Sequence, residues 1–320
     1  MTIQYDKNAK RKYSFSDYDP NWVTQFGVIK EFLSDIFTDP TVRIEHVGST
    51  SVPGMKAKPL IDVLVIVKQM KDFTLEKDMM TKAGYECVEN YVAPNTLCFF
   101  KAAADGEKIE NIHVADSGIG FIPVRDYLRT HPKAAQEYSS IKEKNSILHP
   151  GDYPAYRAAK GAFLDILRKR AYVWYFKKHL CWYIHIQADK LLYWYSKITG
   201  TKGNAQALAL YPFLITTSTM NPKMCPYFIN HELIHFAQQK EMLIIGFYLL
   251  HVYEWIWLRI FKQISAHDTY VIRSTEQEAY DNMFDVEYLK KRKSYTHLKK
   301  YWKYKPIVWE EYLKNLKERS

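Results

Sequence analysis

The feature that most constrains the fold is an apolar segment from Met242 to Phe261, MLIIGFYLLHVYEWIWLRIF. Its length is close to that of a transmembrane helix, which needs roughly 20 apolar residues. Three ionisable residues interrupt it, namely His251, Glu254 and Arg259. Because a charge inside a membrane span is costly, we expect a helix that is buried on most sides or that lies against a membrane surface.

The composition is that of a globular chain. With 320 residues, 47% hydrophobic and 25% charged, the sequence has room for two domains and no signature of disorder. Its four cysteines show no C-x-x-C spacing, so structural disulfides are not expected. The N-terminal MTIQYDKNAKRKYSF lacks the apolar core of a secretion signal. We therefore expect a cytoplasmic protein, with membrane association as the open alternative.

The charge is strongly basic. A net charge of +10 and a pI near 9.1 suit a protein that meets phosphates, nucleotides or an anionic membrane, and they equally suit a basic solvated surface. The stretch KKRKSYTHLKKYWKYK, from Lys290 to Lys305, interleaves basic and aromatic residues. We expect an amphipathic terminal helix there rather than a site for nucleic acid or lipid headgroups.

The chain changes character near Arg170. Before it, short β-type runs and helical patterns predict an α+β domain, closed by helices from about Val124 to Ser146 and from Tyr153 to Arg170. After it, the pattern is mainly helical, and ALALYPFLITTS is the one expected strand. We accordingly divide the sequence into domains 1–172 and 173–320.

The second domain contains a His-Glu-x-x-His sequence within YFINHELIHFAQQKEM. His231 and His235 are four residues apart and share one face of a helix, so both imidazoles can bind one metal ion. Glu232 lies beside that face, where a carboxylate can deprotonate a metal-bound water. This spacing predicts a catalytic metal site.

A third metal ligand is expected in RSTEQEAYDN, after the apolar segment. Ser274 or Thr275 can cap a helix whose first turn contains Glu276. Glu278 is a rival ligand, although Thr275 and Glu278 also fit a capping box that would occupy the second carboxylate. Glu276 is therefore preferred, and Glu278 stays open.

The second domain resembles a short bacterial domain family related to the glutamate-zincin peptidases, through NHELIHFAQQ and EQEAY, over about Tyr183 to Lys293. The resemblance implies Zn²⁺ bound by three side chains, His231, His235 and Glu276. It implies Glu232 as general base and a peptide substrate, with a non-proteolytic site as the alternative. In many such peptidases an aspartate four residues after the glutamate braces a zinc histidine. Tyr280 stands there, and we include it in the candidate catalytic set.

The first domain contains RIEHVGSTSVPGMKAKPLIDVLV, which reads as a phosphate-binding loop between two strands. Gly48 allows a sharp turn after the first strand. The next residues offer hydroxyl groups, N–H groups and positive charge to a phosphate; they are Ser49, Thr50, Ser51, Lys56 and Lys58. Asp62, on the second strand, can hold Mg²⁺. A plain serine-rich turn is the alternative.

This domain is similar to the GrpB (UPF0157) family from about Tyr18 to Leu164, through YDPNW, the loop above, NIHV, VRDYLRTHPKAAQEYSSIK and YRAAKGAFL. The family is placed in the polymerase-beta-type nucleotidyltransferase superfamily, which implies a mixed sheet and a nucleotide or phosphate-ester ligand. Leu64 stands where that superfamily has a second metal-binding carboxylate, which counts against two-metal transfer. The candidate anion pocket comprises Gly48, Ser49, Ser51, Lys58, Asp62, His113, Arg125, Arg129 and Lys142.

We therefore expect an α+β fusion protein. Its first domain binds a nucleotide or phosphate ester, with or without transfer, and uses Mg²⁺ as a candidate cofactor. Its second domain is a mainly helical, zincin-like hydrolase that uses Zn²⁺. The alternative is a non-catalytic protein that senses an anion and carries a structural zinc ion.

Overall fold

The computed structural model describes residues 15–91, 96–104, 106–199, 205–222 and 224–302, with the backbone alone at 266 and 267. The chain divides into two compact units between Ala171 and Tyr172. The first unit is mixed α/β and the second is mostly helical, which confirms the secondary-structure content expected from the sequence. Two stretches considered in the sequence analysis lie partly outside the described residues. They are the N-terminal fifteen residues, of which only Phe15 is described, and the end of the basic tail.

The first unit is built on a five-stranded sheet in the order β1-β2-β5-β4-β3. The strands are β1 (Arg43–Val47), β2 (Ile61–Ile66), β3 (Glu86–Glu89), β4 (Leu97–Ala102) and β5 (Lys108–Ala115). β2 and β5 run parallel, whereas the other neighbouring pairs are antiparallel, so the sheet is mixed. β2 is internal and mostly buried, which explains its run of aliphatic residues.

The helices that begin in this unit are α1 (Asn21–Ile36), α2 (Thr74–Lys82), α3 (Ile122–Thr130), α4 (Pro132–Leu148) and α5 (Tyr153–His179). The main core packs side chains of α1 against the sheet, for example Leu33 with Val63 and Phe99. A second apolar cluster lies where α3, α4 and the first part of α5 meet, around Tyr138 and Leu167. The loop after β1 lies between these two cores.

Two predictions about these helices are wrong. The single helix expected from Val124 to Ser146 is divided into α3 and α4, because Pro132 disfavours a helical conformation of the residue before it. His131 accordingly has φ −128° and ψ 76°. The helix expected to end at Arg170 continues to His179, since no Pro or Gly interrupts the sequence there. The division between the two units therefore falls within α5.

The second unit contains a three-stranded sheet in the order β6-β8-β7. Its strands are β6 (Ile184–Gln187), β7 (Ala207–Leu210) and β8 (Phe213–Thr216), and α6 (Asp189–Thr199) lies between β6 and β7 in the chain. The single strand predicted in ALALYPFLITTS is instead a hairpin that turns at Tyr211 and Pro212. β6 was not predicted, because it is exposed and lies in an aromatic stretch without turn residues.

The remaining elements are α7 (Cys225–Glu241), α8 (Ile245–Ile256), a π-helical turn (Trp257–Phe261), α9 (Ala266–Ile272), α10 (Ser274–Asn282), α11 (Tyr288–Lys291) and α12 (Thr296–Lys300). No single helix among the described residues is long and apolar enough to cross a membrane. Taken together, α7 and the following segment of α8 with the π-turn have the length and hydropathy of a membrane span. The two segments, however, are bent by 106° relative to each other.

The basic tail is not the single amphipathic helix that the sequence predicted. Up to Trp302 it forms the two short helices α11 and α12. The chain is extended at Arg292, with φ −63° and ψ 134°, where that side chain turns inward to buried carboxylates. Residues 303–305 of the predicted helix lie outside the described residues.

Candidate functional site

The His-Glu-x-x-His sequence lies in α7, a largely buried helix. His231 and His235 project from successive turns, and Glu276 of α10 faces both of them. The Nε2 atoms of the two histidines are 3.1 Å apart. Oε2 of Glu276 lies 3.3 Å from Nε2 of His231 and 3.5 Å from Nε2 of His235. The structure therefore brings three buried potential metal ligands to one point.

These spacings fit a tetrahedral zinc site. Nitrogen and oxygen ligands about 2.0–2.1 Å from a tetrahedral ion lie about 3.3 Å from one another. Oε2 of Glu276 is buried and has no hydrogen-bond partner among the described residues, although it faces two imidazole nitrogens. An atom in that position is suited to bind a cation. Three protein ligands also leave a fourth coordination position for water or substrate.

Gln238 fixes the tautomer of His235. The amide nitrogen of Gln238 donates to the carbonyl oxygen of Thr275 at 3.1 Å and to Oε2 of Glu278 at 2.9 Å. Because both partners accept, the amide oxygen of Gln238 must face Nδ1 of His235, 2.8 Å away. Nδ1 of His235 therefore carries the proton, and the lone pair on Nε2 is directed toward the candidate metal position.

His231 has no equivalent brace. Its Nδ1 atom is buried without a hydrogen-bond partner among the described residues. The ring of Tyr280 lies 4.6 Å from the ring of His231, measured between centroids. Tyr280 thus packs against the imidazole of His231, at the position where the sequence analysis expects a bracing aspartate in a zincin-like site.

Glu232 is buried beside the three ligands. Burial raises the pKa of its carboxyl group, although a hydrogen bond from the backbone N–H of Ala209 in β7 works in the opposite direction. A raised pKa suits a carboxyl group that must accept a proton and release it. Two tyrosines that were not predicted as site residues lie in this region, where burial and the charge of Glu276 raise the pKa of Tyr195 and of Tyr270. No sequence pattern pointed to them.

β7 is an edge strand, and two backbone groups at its outward edge, in Ala209 and in Tyr211 of the following turn, are already paired. The side-chain amide of Gln239 donates to the carbonyl oxygen of Ala209 at 3.0 Å. The same amide accepts from the backbone N–H of Tyr211 at 2.8 Å. A peptide that joined β7 as an additional strand would have to compete with Gln239 for these groups.

Glu278, the rival ligand, is engaged elsewhere. Its carboxylate accepts from Tyr288 at 2.7 Å, from Arg292 at 2.6 Å and from Gln238. Arg292 also pairs with Glu241, and all of these charged groups are buried or nearly so. The capping box predicted for Glu278 is therefore wrong, and the geometry favours Glu276 as the third ligand.

The predicted caps of α10 are also wrong. The hydroxyl of Thr275 is 2.8 Å from Nε2 of His251 in α8. Oε1 of Glu254, also in α8, accepts the backbone N–H of Ser274 at 3.2 Å. The N-terminus of α10 is thus capped by a carboxyl group from another helix, within one turn of Glu276.

In the first unit, Gly48 and Asp62 are in close contact. Gly48 has φ +72°, and a Cβ atom at that position would clash with the carboxylate of Asp62. Both the backbone conformation and the space therefore require glycine. This contact places the turn Ser49–Ser51 directly beside the carboxylate.

The neighbours of Asp62 are polar but not acidic. Asn111 of β5 donates to Oδ1 of Asp62 at 2.9 Å, and Nε2 of His113 lies 3.7 Å from the same oxygen. Burial alone would lower the pKa of His113, but the nearby Asp62 carboxylate and Cys98 outweigh it and raise that pKa to about 9. Asn111 is not among the predicted site residues, although it shares a strand face with His113 by simple alternation.

Lys142 of α4 is buried against the loop. Its Nζ donates to Oγ of Ser49 at 3.1 Å and to the carbonyl oxygen of Lys56 at 2.7 Å, both uncharged acceptors. Burial, with a smaller contribution from the charge of Lys160 in α5, lowers the pKa of Lys142 to about 7. A buried lysine beside a serine turn, with a second lysine near enough to lower its pKa, is an arrangement that favours anion binding. Lys160 lies in the YRAAKGAFL sequence but is not among the predicted pocket residues.

Arg125 is paired with two carboxylates in this arrangement. Its guanidinium group donates to Glu45 at 2.8 Å and to Asp126 at 2.7 Å. An anion would have to compete with these carboxylates, and the place of Arg125 in the anion pocket stays a prediction. The charge pattern along the chain gave no sign of Glu45, which lies far upstream on β1.

The other predicted pocket residues make local contacts. The hydroxyl of Ser51 donates to the carbonyl oxygen of Gly48 at 2.7 Å. Arg129 donates to the carbonyl oxygen of Ser51 at 2.9 Å. Nζ of Lys58 lies 5.4 Å from the ring centroid of Tyr153. Ser51 and Arg129 thus hold the shape of the loop, whereas Lys142 is buried beneath it and donates to Ser49.

Comparison with known proteins concerns the first unit. The family model described as GrpB protein matches residues 12–170. The glutamate-rich protein GrpB of Alkalihalophilus pseudofirmus is 30% identical over 156 residues, which are 46% of this chain and 89% of that protein. This chain belongs to the GrpB family. The UPF0157 protein YqkA of Bacillus subtilis is 31% identical over 170 residues, and the aligned region is 52% of this chain and 49% of YqkA.

The chain thus spans about half the length of YqkA. A solved structure, that of the conserved protein GrpB from Enterococcus faecalis, has 28% sequence identity and a TM-score of 0.48. The aligned region covers 51% of this chain and 99% of the Enterococcus faecalis chain. The GrpB family model ends at residue 170, one residue before the division between the two units.

Proposed function

We propose that the second unit is a zinc-dependent hydrolase that acts on peptides. His231, His235 and Glu276 hold the ion in this proposal. A zinc ion in such a site polarises a water molecule and the carbonyl group of the substrate. Glu232 is positioned to accept the proton of the attacking water and to deliver it to the leaving amine. Tyr280 acts as a positioning residue, because its ring packs against His231.

The observation that supports this proposal most directly is the spacing of the three ligand atoms. They lie 3.1–3.5 Å apart, and the orientation of Gln238 leaves the His235 lone pair directed at their centre. The resemblance of NHELIHFAQQ and EQEAY to the glutamate zincins supports the assignment of zinc and of a peptide substrate. A substrate peptide that paired with the edge of β7 would have to displace Gln239 from Ala209 and Tyr211.

Metal analysis combined with a peptidase assay tests the proposal. The purified protein should contain about one zinc ion per chain, and His231→Ala or Glu276→Gln should remove it. Glu232→Gln should keep the zinc and abolish cleavage of a casein substrate, because it removes only the proton acceptor. A wild-type protein without zinc, or a Glu232→Gln protein that loses it, would contradict the assignment.

The same experiment separates a structural zinc site from a catalytic one. A wild-type protein that binds zinc, is stabilised by it and cleaves no peptide would support the alternative, in which the metal only holds α7 and α10 together.

For the first unit we propose binding of a nucleotide or phosphate ester, without efficient transfer. The buried Lys142 against the serine turn supports an anion site. Asp62 is a candidate ligand for Mg²⁺, but its neighbours Asn111 and His113 provide an amide and an imidazole where two-metal transfer needs carboxylates.

A thermal-shift screen of nucleoside triphosphates with Mg²⁺ tests this second proposal. Stabilisation should be lost on Lys142→Gln and reduced by Asp62→Asn or Lys58→Ala. Lys144→Gln, an exposed lysine on the same helix, serves as the control. The absence of any stabilisation would contradict a nucleotide site, and efficient nucleotidyl transfer would contradict the expected loss of catalysis.

A further inference from the structure

α8 and the π-turn after it expose an unusual amount of apolar surface. We call this surface the α8 face. Its members recur at helical spacing and are strongly exposed: Ile245 (72%), Leu249 (64%), Val252 (55%), Ile256 (40%) and Ile260 (62%). Leu243 and Phe261, at the two ends of the segment, are exposed by 84% and 65%. A helix on the surface of a water-soluble unit normally presents polar side chains there.

In α8 the ionisable side chains face the protein interior and the aliphatic ones face outward, the opposite of an ordinary surface helix. Its ionisable residues His251 and Glu254 face the protein interior, where they bind Thr275 and Ser274 of α10. Glu254 is fully buried, whereas the aliphatic residues on the opposite side are exposed. This arrangement is characteristic of helices in contact with lipid, whose ionisable residues face protein rather than hydrocarbon.

Positively charged side chains lie at both ends of the α8 face. Lys240 precedes the apolar segment, and Arg259 and Lys262 are exposed at its other end. The only carboxylates from 240 to 262 are Glu241, which pairs with Arg292, and Glu254, which is buried. The exposed part of the segment therefore combines apolar side chains with cations, a combination that complements an anionic lipid surface.

Aromatic residues lie at the border of this face. Tyr253 and Trp255 are each about half exposed. Tyr253 stacks on Trp302, with ring centroids 6.2 Å apart, and this contact brings the exposed Lys299 and Lys300 of α12 beside α8. Tyrosine and tryptophan favour the boundary between lipid headgroups and hydrocarbon, because one end of the ring is apolar and the other polar.

We propose that the α8 face docks on an anionic lipid bilayer and lies in the plane of its surface. The helix and π-turn together extend for about 25 Å at 1.5 Å per residue. Their aliphatic side chains enter the boundary of the hydrocarbon, while Arg259 and Lys262 contact lipid phosphates. This inference concerns where the second unit works and does not depend on zinc binding.

Cosedimentation of the full chain with vesicles tests the docking. Vesicles of phosphatidylcholine containing phosphatidylglycerol should bind the protein, and pure phosphatidylcholine should bind it much more weakly. Replacing Leu249 and Val252 by Gln together should reduce binding about tenfold. Arg259→Gln combined with Lys262→Gln should remove most of the preference for the anionic vesicles.

The matched control removes two exposed apolar residues from helices of the first unit, Leu75→Gln with Ile147→Gln. It should leave vesicle binding unchanged. Equal losses in the control and in the α8 variant would contradict a specific face, as would wild-type protein that does not sediment with either vesicle. A stable dimer in light scattering that the α8 variant dissociates would show that a second copy covers the face. Resistance to alkaline carbonate extraction would exclude a peripheral site.

Discussion

At the scale of single residues, the role of Gln238 at the candidate metal centre can be tested separately from its effect on protein stability. Its amide oxygen accepts the proton on Nδ1 of His235. Gln238→Leu removes that acceptor and leaves the His235 tautomer unspecified. Loss of such a partner typically weakens metal binding by about 10–100-fold. We expect a fall of that size in zinc affinity, measured by competition with a chromophoric chelator.

Gln239 provides the matched control. It is the next residue, is equally buried, and binds the backbone of β7 rather than a ligand. Gln239→Leu should destabilise the protein to a similar extent and leave zinc affinity nearly unchanged. Equal losses of affinity in the two variants would mean that Gln238 acts only through stability.

Lys142 predicts a pH dependence of anion binding. Its pKa in the ligand-free protein is about 7, and only the protonated form attracts an anion. Its surroundings are Ser49, the rings of Phe15 and Tyr138, and the cation of Lys160. Affinity should therefore be greatest below pH 7 and should fall as pH rises above it, by at most about tenfold per pH unit.

Calorimetric titration with sulfate measures this dependence without interference from the ligand, because sulfate keeps its charge over the range. Lys142→Gln should bind sulfate weakly at every pH, with a flat profile between pH 6 and 8. Burial lowers the pKa of His46 to about 4 and that of His113 is about 9, so neither titrates within this range. A wild-type affinity that rises with pH would rule out Lys142 as the anion ligand.

Site residues could be predicted from the sequence where a local backbone or strand pattern identifies them, but not where contacts distant in sequence decide their role. Gly48 was selected for its turn, and the structure adds that a side chain there would meet Asp62. Asn111 could have been found by strand alternation. Lys160 could not, because only the packing of α5 brings it near Lys142. Arg125 was selected for its charge, which Glu45 and Asp126 neutralise.

At the scale of elements, α10 carries two buried glutamates with different expected roles. Glu276 faces the histidines and Glu278 pairs with Arg292. Breaking a buried ion pair from one side costs about 3–5 kcal/mol. Glu278→Gln should therefore lower the free energy of unfolding by that order while zinc stoichiometry stays near one. Glu276→Gln should instead remove the zinc.

Denaturant unfolding and metal analysis of the same samples distinguish the two effects. Glu287→Gln, which disrupts an exposed pair with Lys290, should change the free energy of unfolding by less than about 1 kcal/mol. If Glu278→Gln lost its zinc and Glu276→Gln kept it, the third ligand would lie two residues further along α10.

Most elements follow from local patterns, and the exceptions have identifiable causes. The strands and helices of the first unit were predicted from hydrophobic periodicity, but the effect of Pro132 on His131 was overlooked. β6 is held by its pairing with β8 rather than by its own sequence pattern. The caps of α10 come from Glu254 of α8, so local sequence around Ser274 could not reveal them.

At the scale of the whole molecule, the two units should respond differently to metal. All three proposed zinc ligands lie in the second unit. Removing zinc should therefore lower the melting temperature of that unit alone, because metal binding adds to its folding free energy. Trp22 is the only tryptophan before Tyr172 in the sequence, so tryptophan fluorescence mainly reports on the second unit.

Calorimetry of the full chain, with and without chelator, checks this expectation. We expect two transitions. The chelator should lower the melting temperature of the transition that tryptophan fluorescence also reports, and it should leave the other melting temperature unchanged. A fragment of residues 1–179, which keeps α5 whole, should reproduce the second of these transitions. A single transition that shifts as a whole, or a fragment without a cooperative melt, would show that the two units fold as one.

The capping of α10 by α8 has a consequence for how two ligands influence each other. His251 and Glu254 hold the first turn of the helix that carries Glu276, and their opposite side is the α8 face. A displacement of α8 on a bilayer would therefore alter the position of Glu276, the proposed third zinc ligand. Thermodynamic reciprocity then requires that vesicles change the affinity for zinc by the same factor by which zinc changes the affinity for vesicles. Zinc and vesicles would then be thermodynamically linked ligands of one unit.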